Sequence, residues 1–284
     1  MPNAPCEIVL INLDRATERL SFQQAQFKVI GLDFTRVPAV EGAEIDDAYY
    51  KRMSATGARL ITRNEMGCLL SHAACWRHCV ATGRPIVVLE DDAVLDLRFG
   101  DVVAAVQGRA IEENLFVNLE FGRQKLLGRK IEDVLAGVFS LDELVYSGGG
   151  AAGYLLTPDI ARRLLNLSER RSYIADTHIN RIAGIKYAQV NPAVVMQLGR
   201  MEAGQRNGIS ETVSKSTIEG RRTKPTSLQN FLANPSTKLV RLAGNFSRWY
   251  RNVRAIGRIR RGQMTMSPGV TETLARTGKM VANG

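Results

Sequence analysis

The sequence predicts an α/β fold with a basic C-terminal appendage. Three observations carry this. Short apolar, β-branched runs alternate with helix-periodic segments as far as about Leu198. The order within the first forty residues is β-α-β, the usual opening of an α/β sheet. Beyond Leu198 the texture changes to Gly, Ser, Thr, Asn and Arg. At 284 residues and 45% hydrophobic content, the chain can bury a real core, which excludes wholesale disorder.

The first strand is "CEIVLINL" (Cys6–Leu13), a run suited to burial on both faces. "DRATERLSFQQAQFKVIG" follows as a helix. Leu20, Phe27 and Ile30 share helical spacing, and Gly31 ends it. "FTRVPAVEG" reads as a second strand broken by Pro38, and a polar stretch leads to a strong helix, "TRNEMGCLLSHAACWRHCVATG". Thr62 and Glu65 have capping-box spacing at its start, and Gly83 closes it. "RPIVVLEDD" is the third strand, Phe99–Arg109 a helix, and "NLFVNLEFG" a strand. "LVYSGGGAAGYLLTPDIARRLLNL" gives a strand, a glycine turn, a strand and a helix that starts at Pro158. "KYAQVNPAVVMQ" closes the body as a strand pair. The expected domains are 1–199 and a basic extension, 200–284.

Charge divides along the same line. From Arg200 onward stand 16 Lys or Arg and 4 acids, out of totals of 38 and 28, so the body is close to neutral. The net charge of +10 therefore belongs to the extension and says little about the body's ligand. A nucleic-acid-binding body is disfavoured, because it has no basic excess and none of the usual binding motifs. Within the extension, Leu239, Leu242, Phe246, Trp249, Val253 and Ile256 follow steps of three and four, an amphipathic helix around 238–261 with arginines between. It suits an anionic membrane surface or a docked position on the body. From about Gln263 the chain is expected to be poorly ordered. No apolar run reaches a membrane span and no secretory signal opens the chain. The expected location is cytoplasmic, with a peripheral position at the inner membrane as the alternative. Cys6, Cys68, Cys75 and Cys79 are expected as free thiols. Cys68, His72, Cys75 and Cys79 share a helix face, and one face cannot wrap a tetrahedral metal.

The feature that carries chemistry is "IVVLEDDAVL". Strand alternation puts Glu90 and Asp92 on one side and Asp91 on the other. In parallel α/β sheets, ligands bind beyond the carboxyl ends of the strands. Two carboxylates converging there repel each other, and a hard divalent cation such as Mn²⁺ or Mg²⁺ removes the conflict. The alternative is a solvated turn or helix-dipole acids.

The order of "VLINLDRATERL", "RVPAVEG", "NEMGCLLSHAACW", "IVVLEDDAVL" and "GGAAGYLLTPDIARRLL" resembles glycosyltransferase family 25 over roughly residues 7–197. That family includes lipooligosaccharide and collagen galactosyltransferases. The resemblance implies a GT-A-type, Rossmann-like mixed sheet flanked by helices, a divalent metal (Mn²⁺ or Mg²⁺), a UDP-sugar donor and inversion at the anomeric carbon. Galactose is the usual hexose, and glucose is the alternative. The acceptor implied is a saccharide or glycolipid, with an inactive relative as a further reading.

The resemblance also implies roles. Glu90 and Asp92 look like metal ligands, with Asp91 completing the acidic motif. Asn12, Arg15 and Arg19 lie at the nucleotide edge, where Arg19 meets the diphosphate or fixes the loop. Ala39, Val40, Glu41 and Gly42 flank the base or ribose. Ser71 and His72 are either scaffold or donor-site residues; as neighbours on a helix they diverge and form no catalytic dyad. Gly150 and Tyr154 belong to the block beside donor and acceptor, and Tyr154 can equally be core. "SGGGAAG" lacks the Lys and Ser/Thr of a phosphate loop. Asp176 is the leading general base and His178 the second. Asp176 alternatively caps the helix in "THINRIAG".

Overall fold

The computed structural model describes residues 6–202 except 123, 181 and 183, together with Val213 and residues 264–282. The amphipathic segment expected around 238–261 lies outside the described residues. Strand β1 (Glu7–Asn12) leads into helix α1 (Thr17–Ile30), strand β2 (Thr35–Pro38) and helix α2 (Asp47–Met53). Helix α3 (Arg63–Thr82) precedes β3 (Ile86–Glu90), a short β4 (Ala93–Leu95) and α4 (Phe99–Glu112). Then come β5 (Leu115–Asn118), the hairpin β6 (Lys125–Val134) and β7 (Phe139–Ser147), and β8 (Gly153–Leu156). Helices α5 (Pro158–Ser168) and α6 (Ala175–Ile179), strands β9 (Lys186–Asn191) and β10 (Val195–Gln197), and helix α7 (Pro268–Ala282) complete it.

The sheet is mixed, in the order β2-β1-β3-β8-β5-β9-β7-β6. β2, β1 and β3 run parallel, β8 runs antiparallel between β3 and β5, and β5 pairs parallel with β9. The central strands read as unbroken apolar runs because both faces are covered. Leu10, Val87 and Leu89 face α1 and α4, while Val9, Ile86 and Val88 face α3, α5 and α6. A small second sheet pairs β4 with β10.

Local signals act as the sequence indicates at several ends. Thr62 and Glu65 form a reciprocal capping box at the start of α3, and Gly83 ends it in the left-handed conformation at φ 65°. Gly31 ends α1 in the same way, and Pro158 opens α5. The elements not expected are the weakly patterned ones. β6 is an outer strand whose pairing with β7 shifts register three times. α2 is seven residues long and is started by the Asp46 carboxylate accepting from the Tyr49 amide.

One expectation is overturned. Residues 264–282 are ordered, not frayed, and form α7 against the body. Val270 and Leu274 join Phe22, Val94, Met196 and Leu198 in one apolar cluster. Ser267, Thr273 and Thr277 are also fully buried there. The apolar residues of α7 recur at helical spacing, but the basic character of the extension obscured them. Leu274→Ala should therefore cost about 2–5 kcal/mol, read as a lower urea midpoint at constant slope. An unchanged midpoint would detach α7 from the core.

Candidate active site

β1 and β3 end side by side, so the loops after them share the sheet's carboxyl edge. There they form an open cleft, about 710 Å³ with its mouth and the adjoining solvent included. Its lining brings together Asn12, Arg15, Arg19, Ala39, Gly42, Ser71, His72, Glu90, Asp91 and Asp92. These ten residues come from four separate sequence blocks. Asn64 and Gln197, not singled out from the sequence, also line it, as does Cys68, expected only as a free thiol.

The acidic turn is held from behind. Gln23 Nε2 donates to the Asp91 and Ala93 carbonyls at 3.0 and 2.9 Å, and Gln26 Nε2 donates to the Ala93 carbonyl at 3.0 Å. The Leu198 amide donates to the Asp92 carbonyl at 2.9 Å. Buried backbone carbonyls need such partners, which explains two fully buried glutamines on α1.

The three acids have different surroundings. Asp91 points to the α1 side, where Arg19 donates at 2.8 Å and Asn12 Nδ2 at 2.8 Å. Burial nevertheless keeps its carboxyl above the ordinary value. Asn12 and Arg19 thus line the cleft edge, and of the two roles expected for Arg19 the contacts match fixing the loop. With Asp91 they form a buried ion-paired cluster that fixes the turn, and the Arg19 side chain is 5% exposed. Glu90 points to the α3 side. Burial opposes its charge, but pairing with His72 Nε2 at 3.1 Å and Gln197 Nε2 at 3.2 Å outweighs that and lowers its pKa.

Asp92 has only the nearby Arg19 charge to offset its burial, and that is outweighed. Its Oδ1 is buried without a hydrogen-bond partner. Burial first, then the charges of Glu90 and Asp91, push its carboxyl up to about 8. An orphaned carboxylate oxygen beside a second carboxylate is the donor set a hard dication fits. Glu90 and Asp92 are the residues that would hold such an ion.

The cleft's outer wall is the segment Ala39–Gly42. The Ala39 amide donates to the Asn12 carbonyl at 3.0 Å, and the Val40 amide to Ser71 Oγ at 2.8 Å. Ser71 thus shapes the wall from the helix behind it. A Cβ on Gly42 would lie 2.5 Å from Asn64 Oδ1, so glycine allows this wall to touch α3. Arg15 sits at the rim, paired with Glu41 at 2.5 Å.

Four predicted residues fall outside the lining. Tyr154 is fully buried in the core, its hydroxyl 2.9 Å from both His72 Nδ1 and Trp76 Nε1. It reaches the cleft only through His72. His178 is fully buried, stacks on Trp76 and sits 3.0 Å from the Leu164 carbonyl through Nε2. That placement removes it as a base. Asp176 lies inside the first turn of α6, which Ile174 caps, so it is not an N-cap. Its carboxyl is raised by burial and by the Glu90 charge, against hydrogen bonds from the Thr177 and Gly150 amides.

The glycine turn houses carboxylates. A Cβ on Gly149 would meet Asp176 Oδ2 at 2.8 Å, and one on Gly150 would meet Glu120 Oε2 at 2.6 Å. Both glycines have positive φ, 141° and 107°. Glu120 is the acid the sequence reading missed. It is fully buried, accepts from the Ala152 amide at 2.9 Å and pairs with Arg200 at 3.5 Å. Its charge acts on Asp92. The signal was present in "NLEFG": an acid just past an apolar strand, the same logic that singled out Glu90.

The geometry defines an α/β protein with an acidic, ligand-sized cleft at its parallel strand ends. Residues 6–179 match the model for "Glycosyltransferase family 25 (LPS biosynthesis protein)". The chain belongs to glycosyltransferase family 25. It is 31% identical over 170 residues to "Glycosyltransferase 25 family member" of Aedes aegypti, covering 56% of this chain and 27% of that one. It is 28% identical to "Procollagen galactosyltransferase 1-B" of Xenopus laevis, over 56% and 28% of the two chains. It is also 28% identical to "Probable inactive glycosyltransferase 25 family member 3" of Rattus norvegicus, over 50% and 22%. The matched region is thus about a quarter of these relatives' length. Among the described residues, no helix is long and apolar enough to cross a membrane.

The state of Asp92 sets a pH dependence. Its folded pKa of about 8 exceeds the ordinary 3.8, so between those values the folded chain holds a proton the unfolded chain has lost. Stability without divalent ions should fall as pH rises across that window. Mn²⁺, which competes with this proton, should bind more tightly as pH rises. Melting temperatures in EDTA between about pH 5 and pH 8 test the sign. Asp92→Asn should flatten the slope; an equal slope in that variant would assign it elsewhere.

Proposed function

We propose that this chain is a metal-dependent inverting glycosyltransferase. It moves a hexose, with galactose from UDP-galactose as donor, onto a saccharide acceptor, lipooligosaccharide or another cell-surface glycan. The observation that carries this reading is the Asp92 oxygen, buried and unpartnered beside Glu90 in a cleft at the sheet's carboxyl edge. Family membership supports transfer chemistry, and the name of the Xenopus relative supports galactose.

The cleft is rich in carboxylates, and its cations Arg15 and Arg19 are already paired. A donor diphosphate entering alone meets repulsion. A Mn²⁺ or Mg²⁺ ion held by Glu90 and Asp92 supplies Lewis-acid stabilisation of charge on the departing diphosphate. The chain's own residues do the rest. Arg19 and Asn12 keep Asp91, and so the whole turn, in place. His72 and Gln197 orient Glu90. Ser71 holds the Ala39–Gly42 wall where the nucleoside lies. As the acceptor oxygen attacks the anomeric carbon and the bond to phosphate breaks, the hydroxyl proton passes to Asp176. Burial has raised the basicity of that carboxylate.

The proposed location is the cytoplasmic leaflet, with the basic extension as the membrane contact that brings the chain to a lipid-linked acceptor.

Donor hydrolysis and transfer with a panel of UDP- and GDP-sugars test the activity. Asp92→Ala should abolish Mn²⁺-dependent turnover while the melting profile stays cooperative. Full turnover in EDTA would refute the metal role. Asp176→Asn should lower kcat by about 10²–10⁴-fold with little change in donor KM; unchanged kcat would remove it as base. A chain that binds UDP and Mn²⁺ yet transfers no sugar would side with the inactive relative.

A further inference from the structure

The cysteine-bearing helix was expected to hold only free thiols, because a single helix face cannot surround a metal. The fold adds a second element. Cys68 and His72 stand one turn apart on α3, and Glu90 reaches them from the end of β3. Cys68 Sγ, a His72 ring nitrogen and a Glu90 carboxylate oxygen lie within 4.8 Å of one another. All three residues line the cleft.

We propose that Cys68, His72 and Glu90 form a site for a zinc-class metal ion, open to the cleft and sharing Glu90 with the hard-cation position at Asp92. Three protein ligands of the S, N and O type with a fourth direction open is the composition of exchangeable zinc sites. Thiolate and imidazole select this class over Mg²⁺ or Mn²⁺. The ring already has the outer support that zinc-bound histidines show. Its Nδ1 is 2.9 Å from the Tyr154 hydroxyl, which is itself fixed by Trp76 Nε1 at 2.9 Å.

The protons balance simply. Binding displaces the Cys68 thiol proton to solvent. His72 stays neutral, binds through Nε2 and carries its proton on Nδ1. The ring thereby changes tautomer, and the Tyr154 hydroxyl, which donates to Nδ1 while Nε2 donates to Glu90, turns its hydrogen away and accepts from Nδ1 instead. The Nε2 hydrogen bond to Glu90 is replaced by a shared metal ion. Burial, and then the charges of Glu90, Asp176 and Asp92, raise the Cys68 thiol pKa. A dication answers that same excess of negative charge.

The binding claim does not depend on transferase activity. One consequence does rest on the proposed function: Glu90 cannot serve both ions, so zinc opposes Mn²⁺-dependent turnover.

Cobalt titration of the full chain reads the site directly. One equivalent of Co²⁺ should give a thiolate-to-cobalt charge-transfer band and the visible bands of a four-coordinate ion. The charge-transfer band should disappear in Cys68→Ser and persist in Cys6→Ser. Alkylation of the unsubstituted chain, mapped by mass spectrometry, needs no variant: one equivalent of zinc should protect Cys68. Absence of the thiolate band at saturating cobalt, its survival in Cys68→Ser, or equal Cys68 modification with and without zinc would overturn the proposal.

Discussion

The crowding of carboxylates at one sheet edge is the constraint around which the rest is arranged. Glu90, Asp91 and Glu120 all act on Asp92 there, and the Glu90 charge acts on Asp91, Glu120 and Asp176 as well. Like charges out of water raise each other's pKa and cost stability. The fold meets this residue by residue. Asp91 receives a buried arginine, Glu90 a histidine and a glutamine, and Glu120 receives Arg200 and a backbone amide. Asp92 alone among the three acids of the turn receives no hydrogen bond on Oδ1. A stable domain tolerates such a residue when it has a use, because uncompensated buried groups are where functional sites concentrate.

That constraint also explains parts of the chain far from the cleft. Two buried glutamines on α1 exist to hold the backbone of the acidic turn. β4 and β10 pair just beyond it and bring Gln197 and Arg200 into range. α7 packs behind β4 and α1, closing the apolar cluster beneath the turn. The glycines of "SGGGAAG" leave room for Glu120 and Asp176 where a side chain would collide with their oxygens. Residues with no chemistry of their own therefore decide where the charged ones sit.

Much of this was legible in the sequence, for identifiable reasons. The apolar strand feeding "EDD" placed Glu90 and Asp91 on opposite faces, because alternation is set by the strand itself. Thr62, Glu65, Gly83 and Pro158 marked helix ends through local chemistry that needs no tertiary context. The illegible parts depend on distant partners. Arg19 was left between a diphosphate contact and a loop-fixing role, because nothing local reveals that Asp91, 72 residues away, pairs with it. His178 carried a base's chemistry but packs between Trp76 and Tyr173. Glu120 was overlooked inside "NLEFG", and Cys68 was dismissed because Glu90 joins it only through the fold. β6 and α2 lacked a clean period.

The central claim is that a hard dication resolves the conflict at Asp92. Anomalous diffraction from crystals grown with Mn²⁺ and UDP measures this directly. The account predicts an anomalous peak within coordination distance of Asp92 Oδ1, on the cleft side shared with Glu90. A well-ordered diphosphate whose manganese lies away from both carboxylates would contradict it.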